Sequence, residues 1–367
     1  MVMKLCHIEE GNVNILYIIT GLGLGGAEKV VCDLADQMSA LGHQVKIAYL
    51  TGEILVRPKN VNVDIVFLGL NAGSQLYKSS KKYKKLIQDF QPDVVHAHMV
   101  HANIFARINR IGCAIPKLIC TAHNSNEGGQ LRMLAYKFTN CFSDLNTNVS
   151  QEASDSLISK GAFNKNNLIT VYNGIDLNKF LFLDKNISSN ELSFLSVGRF
   201  NEQKDYPNLL HAIATFHESL KQKKCMLSIA GDGELRPQIE ELIEHLGLKN
   251  KVTLLGRRND IPQLMQEADF FILPSAYEGF GLVVAEAMAC GAFVIATNSG
   301  GVAEVMGDTG ILVPPQNSEA LAEAIKQAVS KTPLEIKANN LKARQRVEEL
   351  FSLEKSVENW LKIYRNE

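Results

Sequence analysis

Two carboxylates, Glu278 and Glu286, stand in the stretch ADFFILPSAYEGFGLVVAEAMACG, residues 268–291. Its opening Phe270-Phe271-Ile272-Leu273 is short, aromatic and branched, as a buried strand is. Pro274 and Ser275 end that run. Tyr277-Glu278-Gly279-Phe280-Gly281 then reads as a turn whose two glycines tolerate positive φ or the close approach of a ligand. From Leu282 the Ala, Leu and Met content predicts a helix, with Gly291 where a C-terminal cap belongs. Glu278 therefore lies on the loop before a helix N-terminus, and Glu286 about one turn inside the helix. The free N–H groups of such an end carry about +0.5 of a charge and favour an anion. Carboxylates accept hydrogen bonds from hydroxyls instead. A ligand carrying both phosphate and hydroxyls, such as a sugar nucleotide, suits the pair; a cap and a solvated helix face are the bland alternative.

Further charged residues follow other predicted strands. Arg199 and Lys204 lie in Gly198-Arg199-Phe200-Asn201-Glu202-Gln203-Lys204-Asp205, directly after the strand 192–197. Arginine offers phosphate oxygens a rigid fork, lysine a flexible point charge. Gly231-Asp232-Gly233, Gly256-Arg257 and Asn298-Ser299-Gly300-Gly301 also fall at C-terminal strand ends. Open α/β sheets bind ligands along that edge. His123 closes the strand 117–122 in the same way, and a neutral imidazole there donates one hydrogen bond and accepts another. His96 and His98 alternate along strand 94–98, and no carboxylate–histidine motif follows them. Packing or cleft lining fits them better than a metal centre.

These positions need a scaffold of alternating strands and helices. Residues 14–20 read as a strand, Gly21-Leu22-Gly23-Leu24-Gly25-Gly26 as a turn, 27–41 as an amphipathic helix and 44–50 as the next strand. Strands are expected at 61–68, 94–98, 117–122, 145–149 and 168–172, and again at 192–197, 226–230, 251–255, 270–273, 293–296 and 311–313. Helical stretches between them imply parallel winding in two similar halves. The polar segment 184–190 supports a boundary nearby. Gly21, Gly23 and Gly26 also satisfy G-x-G-x-x-G, which keeps an NAD(P)-dependent oxidoreductase as an alternative. Glu53 stands late, beyond a glycine, where that motif wants an acidic residue for the ribose.

A chain of 367 residues has room for two cores. Hydrophobic residues at 46%, charged at 21% and a net charge of -1 describe a globular protein and give no sign of a nucleic-acid partner. No run is apolar for long enough to span a bilayer, and residues 1–13 lack the apolar region of a secretory signal. Seven cysteines without C-x-x-C argue against a disulfide framework and for a reducing cytoplasm. Lys78, Lys81, Lys82, Lys84 and Lys85 form the main charge run. It reads as a solvated face, or as a peripheral contact with anionic lipid worth about 1 kcal/mol per basic residue.

The stretch PSxYEGFGLxxAEAMACG, with Glu278-x7-Glu286, resembles the signature of the retaining glycosyltransferases of family 4, which have the GT-B fold. Gly25-Gly26-Ala27-Glu28, Thr121-x-His123, the G-R-F-x-x-x-K from Gly198 to Lys204, and Val171-Tyr172-Asn173-Gly174-Ile175-Asp176 extend the likeness over nearly the whole chain, most specifically within 196–301. The resemblance implies an α/β protein of two Rossmann-like domains facing each other across a cleft. Residues 1–174 would form the acceptor side, 175–350 the nucleotide-sugar donor side, and 351–367 a terminal helix crossing back to the first domain. It implies a diphosphate clamp of Arg199, Lys204 and the helix after Gly281, with Gly25 and Gly26 bordering the cleft. Arg257 meets the nucleotide base, Glu286 the ribose and Glu278 the donor-sugar hydroxyls, with Gly279, Phe280, Gly281 and Leu282 around them. His123 orients sugar and phosphate. The implied donor is a nucleotide-sugar, a UDP-sugar foremost, and the acceptor a glycan or lipid-linked glycan of bacterial surface polysaccharide. The chain has no D-x-D, so no metal or other cofactor is required on this reading. Double displacement would need a carboxylate nucleophile, which the sequence does not identify; the resemblance implies a front-face attack in which the leaving phosphate helps to deprotonate the acceptor. A sugar-nucleotide binder without catalysis is the remaining alternative.

Overall fold

The computed structural model describes residues 11–125, 128–185, 191–219 and 224–367; most of residues 1–13 and of segment 184–190 lie outside them. The chain divides into two compact units, Met1–Gly174 with Leu353–Glu367, and Ile175–Ser352.

In the first unit β1 (Asn14–Ile19), α1 (Gly26–Ala40), β2 (Gln44–Tyr49), β3 (Asp64–Phe67), α2 (Leu76–Phe90), β4 (Val94–His98), α3 (Val100–Asn109), β5 (Lys117–Ala122), α4 (Gln130–Thr139), β6 (Leu145–Asn148), α5 (Gln151–Ser159) and β7 (Ile169–Thr170) alternate. Among the described residues the sheet has seven strands, all parallel, in the order β3-β2-β1-β4-β5-β6-β7. The central strands β1 and β4 are buried nearly throughout, as strands covered on both faces must be. Tyr83 and Ile87 of α2 and Phe105 of α3 pack on Leu16, Ile18 and Val95 of the sheet. The opposite side of α2 carries exposed Lys78, Lys81, Lys82 and Lys85, with Lys84 half-buried. The C-terminal helix, Leu353–Arg365, belongs to this unit and buries Trp360 and Tyr364, with Leu361 partly covered.

The second unit runs β8 (Glu191–Val197), α6 (Tyr206–Ser219), β9 (Lys224–Ala230), α7 (Arg236–His245), β10 (Val252–Gly256), α8 (Ile261–Glu267), β11 (Phe270–Leu273), α9 (Leu282–Cys290), β12 (Phe293–Thr297), α10 (Val302–Met306), β13 (Ile311–Val313), α11 (Ser318–Val329) and α12 (Pro333–Leu350). Its described strands are again parallel, in the order β10-β9-β8-β11-β12-β13. Phe194 stacks on Phe270 at 5.2 Å between ring centres, and Phe216 and Phe293 meet the same pair edge-on. Thr332 and Glu335 close a capping box at the start of α12, with Pro333 in the first turn.

Three aspartates set strand register. Asp93, Asp144 and Asp269 each stand one residue before a strand and accept a backbone N–H within the first three residues of its neighbour: Asn14 at 2.8 Å, Leu118 at 2.7 Å and Ser193 at 2.9 Å. Two of these pins hold β1 to β4 and β8 to β11. The edge strands are shorter than the sequence pattern predicts, with 61–68 reduced to Asp64–Phe67 and 168–172 to Ile169–Thr170. An edge strand has one neighbour to bond, so its ends leave the sheet at little cost; Val61 is 93% exposed.

Candidate active site

Both sheets reverse direction of growth once: between β1 and β4, and between β8 and β11. Loops leaving adjacent strands at such a point diverge to opposite faces and open a crevice. In the second unit the loops after β8 and β11 border it and are fastened together. Ala276 N–H donates to the Gln203 carbonyl at 2.9 Å, and Gln203 Nε2 to the Tyr277 carbonyl at 3.1 Å. Lys204 Nζ donates to Glu278 Oε1 at 2.5 Å, and Ser275 Oγ to the same oxygen at 2.7 Å. Glu278 is 7% exposed, and the Lys204 side chain 16%, so the pair has little bulk water around it.

The Glu278 loop is propped from behind by the loop after β12. Thr297 Oγ1 donates to the Ser275 carbonyl at 2.6 Å, and Gly301 N–H to the Gly279 carbonyl at 3.1 Å. Gly300, at φ +55°, presses so close that a Cβ there would strike the Glu278 carbonyl oxygen. Gly281 caps α9 in the left-handed conformation at φ +86°. Val284 and Ala285 N–H return to its carbonyl, which leaves Leu282 and Val283, both partly exposed, to present the helix end. The rest of α9 is buried, including Glu286 at 5% exposure. The crevice thus offers a cation, two carboxylates withdrawn from solvent and a positive helix end.

Arg199 lies apart from the Lys204–Glu278 pair: exposed, it reaches Glu234 at 3.2 Å. Arg257, one residue past β10, is also exposed. Gly25 caps α1, and the Glu28 carboxylate folds back over that helix end. His123, Gly25 and Gly26 belong to the first unit, and Arg199, Lys204, Arg257, Glu278 and Glu286 to the second. Sequence reasoning missed Ser275, Thr297 and Glu234. Ser275 was legible as a hydroxyl three residues before Glu278, whereas Thr297 and Glu234 acquire their roles through tertiary contacts.

His123, just past β5, shares a hydrogen bond with His98 of 2.9 Å from its Nε2 to Nδ1 of His98. Burial lowers the pKa of His123 to about 4 and that of His96 and His98 well below 6.5, so all three are neutral at pH 7. His96 is held between Tyr364 Oη at 2.7 Å and Thr121 Oγ1 at 2.6 Å, with Trp360 4.4 Å from its ring centre. It is a packed strand residue. Among the described residues no group of three His, Cys, Asp or Glu side chains is placed to hold a metal ion.

Two parallel sheets with these strand orders constitute the GT-B fold. Sucrose-phosphate synthase from Thermosynechococcus elongatus superposes with a TM-score of 0.84 at 22% identity, over 96% of this chain and 98% of that one. An Anabaena protein, HepE, solved in complex with UDP-glucose, does so with a TM-score of 0.82 at 21% identity, over 97% and 100%. Residues 24–179 match the model of Glycosyltransferase Family 4 and residues 179–347 that of Glycosyl transferases group 1. The chain belongs to this family and is a glycosyltransferase, which sets the oxidoreductase alternative aside. N-acetylgalactosamine-N,N'-diacetylbacillosaminyl-diphospho-undecaprenol 4-alpha-N-acetylgalactosaminyltransferase of Campylobacter jejuni is 27% identical over 89% of this chain and 93% of its own. UDP-Gal:alpha-D-GlcNAc-diphosphoundecaprenol alpha-1,3-galactosyltransferase of Escherichia coli is 26% identical over 78% and 79%.

Proposed function

We propose that the protein transfers a sugar, with retention at the anomeric carbon, from a UDP-sugar to a glycan or lipid-linked glycan in bacterial surface-polysaccharide assembly. The observation that carries this reading is the Lys204–Glu278 pair beside the N-terminus of α9, over the reversal between β8 and β11. Breaking a sugar–phosphate bond leaves negative charge on the departing diphosphate, and donors fixed in advance stabilise it without reorganisation. Lys204, the α9 end and Arg199, once drawn from Glu234, supply those donors. Glu286 holds the ribose, Glu278 the sugar hydroxyls and Arg257 the base edge. His123 orients sugar and phosphate, and Gly25 and Gly26 border the donor. The second unit is the donor side and the first the acceptor side.

The relatives from Campylobacter jejuni and Escherichia coli are named for acceptors linked to undecaprenol by a diphosphate, and HepE for its complex with UDP-glucose, which supports both halves of the proposal. No helix among the described residues is long and apolar enough to cross a membrane. Access to such an acceptor would come from peripheral contact on the cytoplasmic face, through the lysines of α2. The test is a screen of UDP-, GDP- and ADP-sugars for binding and slow hydrolysis, repeated with EDTA, followed by NMR assignment of the product anomer with the accepted donor. Binding confined to UDP-sugars, turnover indifferent to EDTA and an anomeric configuration kept from donor to product are expected. An inverted product, or binding without turnover on any acceptor, overturns it.

A further inference from the structure

Right-handed crossovers put each helix on the face of the sheet that the direction of strand growth dictates. The chain of the first unit moves from β3 to β4, β5 and β6 in one direction and from β1 to β2 in the other. So α2, α3 and α4 cover one face of that sheet, and α1 the opposite one. Lys84 of α2 lies against Gly112 just past α3, and Asn103 of α3 donates to Tyr136 Oη of α4 at 3.1 Å.

Within this layer α4 turns an apolar side outward. Met133 and Tyr136 are its buried residues. At about 3.6 residues per turn, Leu131 and Phe138 fall opposite them, with Leu134 alongside. They are 82%, 71% and 47% exposed. Arg132 and Lys137 stand on the two flanks between these faces. Ile104 of α3 packs against the cluster that contains Met133 and Tyr136, and Ile108 and Ile111, next along that side of α3, are exposed. A surface helix ordinarily shows polar residues to water. Single exposed apolar side chains are ordinary too, whereas a strip of them with a basic border marks a contact.

Charge selects the occupant. Residues 76–143, which include α2, α3 and α4, hold ten Lys and Arg against three Asp and Glu, a net of +7 in a chain whose net charge is -1. Two copies joined through this face would bring like charges together. Basic side chains beside Leu, Ile and Phe suit a helix lying in a membrane interface, its apolar side among the acyl chains and its cations at the phosphates. We propose that Leu131, Leu134 and Phe138 of α4, with Ile108 and Ile111, enter the headgroup–acyl boundary of an anionic bilayer. The inference rests on the peripheral contact proposed above and deepens it, from attraction by the lysines of α2 to insertion by α4.

Phe138→Trp places an indole on the strip, and the one native tryptophan, Trp360, is buried and gives the background in wild type. On phosphatidylcholine vesicles containing phosphatidylglycerol, emission of the full-length variant should shift to the blue and be quenched by lipids brominated along the acyl chain. Leu131→Ser with Phe138→Ser should lower partitioning about tenfold or more. That difference should persist in high salt, which screens the lysines and leaves apolar burial in place. An unquenched indole, or partitioning unaltered in the serine pair, overturns the proposal. So does a wild-type dimer in light scattering that the serine pair dissociates, since the strip would then be an interface between copies. Should the serine pair not fold, the quenching decides alone. If substitution of the α2 lysines changes nothing while quenching remains, the α2 contact fails and the insertion of α4 stands; no step of the test needs sugar transfer.

Discussion

Lys204 and Glu278 pair with each other across the crevice loops, and each is largely out of solvent. Removing one partner of a buried pair strands the other charge, at a cost of about 3–5 kcal/mol. Lys204→Met should therefore lower stability by that order and abolish transfer. The double variant Lys204→Met with Glu278→Gln should regain most of the stability and none of the activity. Urea unfolding beside a transfer assay separates the two; a single variant as stable as wild type would show that the pair carries no structural weight. Glu286 differs, being a buried carboxylate in an otherwise apolar stretch of α9. Glu286→Ala should lose a charged hydrogen bond to the donor, about 1.5–3 kcal/mol, or roughly one to two decades in kcat/KM. Near-normal donor affinity and transfer would remove the ribose assignment. The residue types at 204, 278 and 286 were legible because strand–loop–helix punctuation flanks each. That Lys204 lies on Glu278 was not, since 74 residues separate them and only the β8–β11 neighbourhood brings them together.

At the scale of elements, the Glu278 loop is as firm as the loop behind it. Gly300→Ala puts a methyl group against the Glu278 carbonyl at a backbone angle that side chains resist, so the loop must shift. Gly161 also has positive φ but open space around it, and Gly161→Ala serves as the control. The control should cost about 1 kcal/mol through strain alone. Gly300→Ala should cost more and also raise the donor KM by about an order of magnitude, since small misplacements of a binding loop are expensive. Equal effects in the two variants would mean that the loop tolerates displacement. The lysines of α2 can be examined in the same spirit. Replacing Lys78, Lys81, Lys82 and Lys85 with Gln should weaken co-sedimentation with anionic vesicles while leaving turnover of a water-soluble acceptor intact, and salt should weaken wild-type binding likewise. Co-sedimentation unchanged by the substitutions would show that the run is only a solvated face. Central strands such as β4, β5 and β11 were readable to the residue, because burial on both faces forces a continuous apolar run. Edge strands were not, because with one neighbour and one free side their ends are not fixed by the apolar run that burial imposes.

For the whole molecule, acid separates the two units. His43, His96, His98, His101 and His123 all have pKa values lowered by burial, and all lie in the first unit; in the second, His217 is lowered, to about 4. A histidine whose folded pKa lies below its unfolded value of about 6.5 contributes stability that is complete above 6.5 and is lost as pH falls toward the folded value. The exposed carboxylates with lowered pKa, among them Asp260, Asp308 and Glu335, lose their contribution only near and below their ordinary values of 3.8 to 4.5. Between pH 6.5 and 4.5 the histidines therefore dominate, and five against one act on the first unit. Hydrogen exchange of the full chain, corrected for the intrinsic pH dependence, should show β1, β4 and β5 losing protection at higher pH than β8, β11 and β12. The reverse order, or simultaneous loss, would mean that these histidines find compensation on charging. With the expected order, activity should fall in mild acid while the second unit keeps its protection, because the weakened unit is the one that carries His98 and His123.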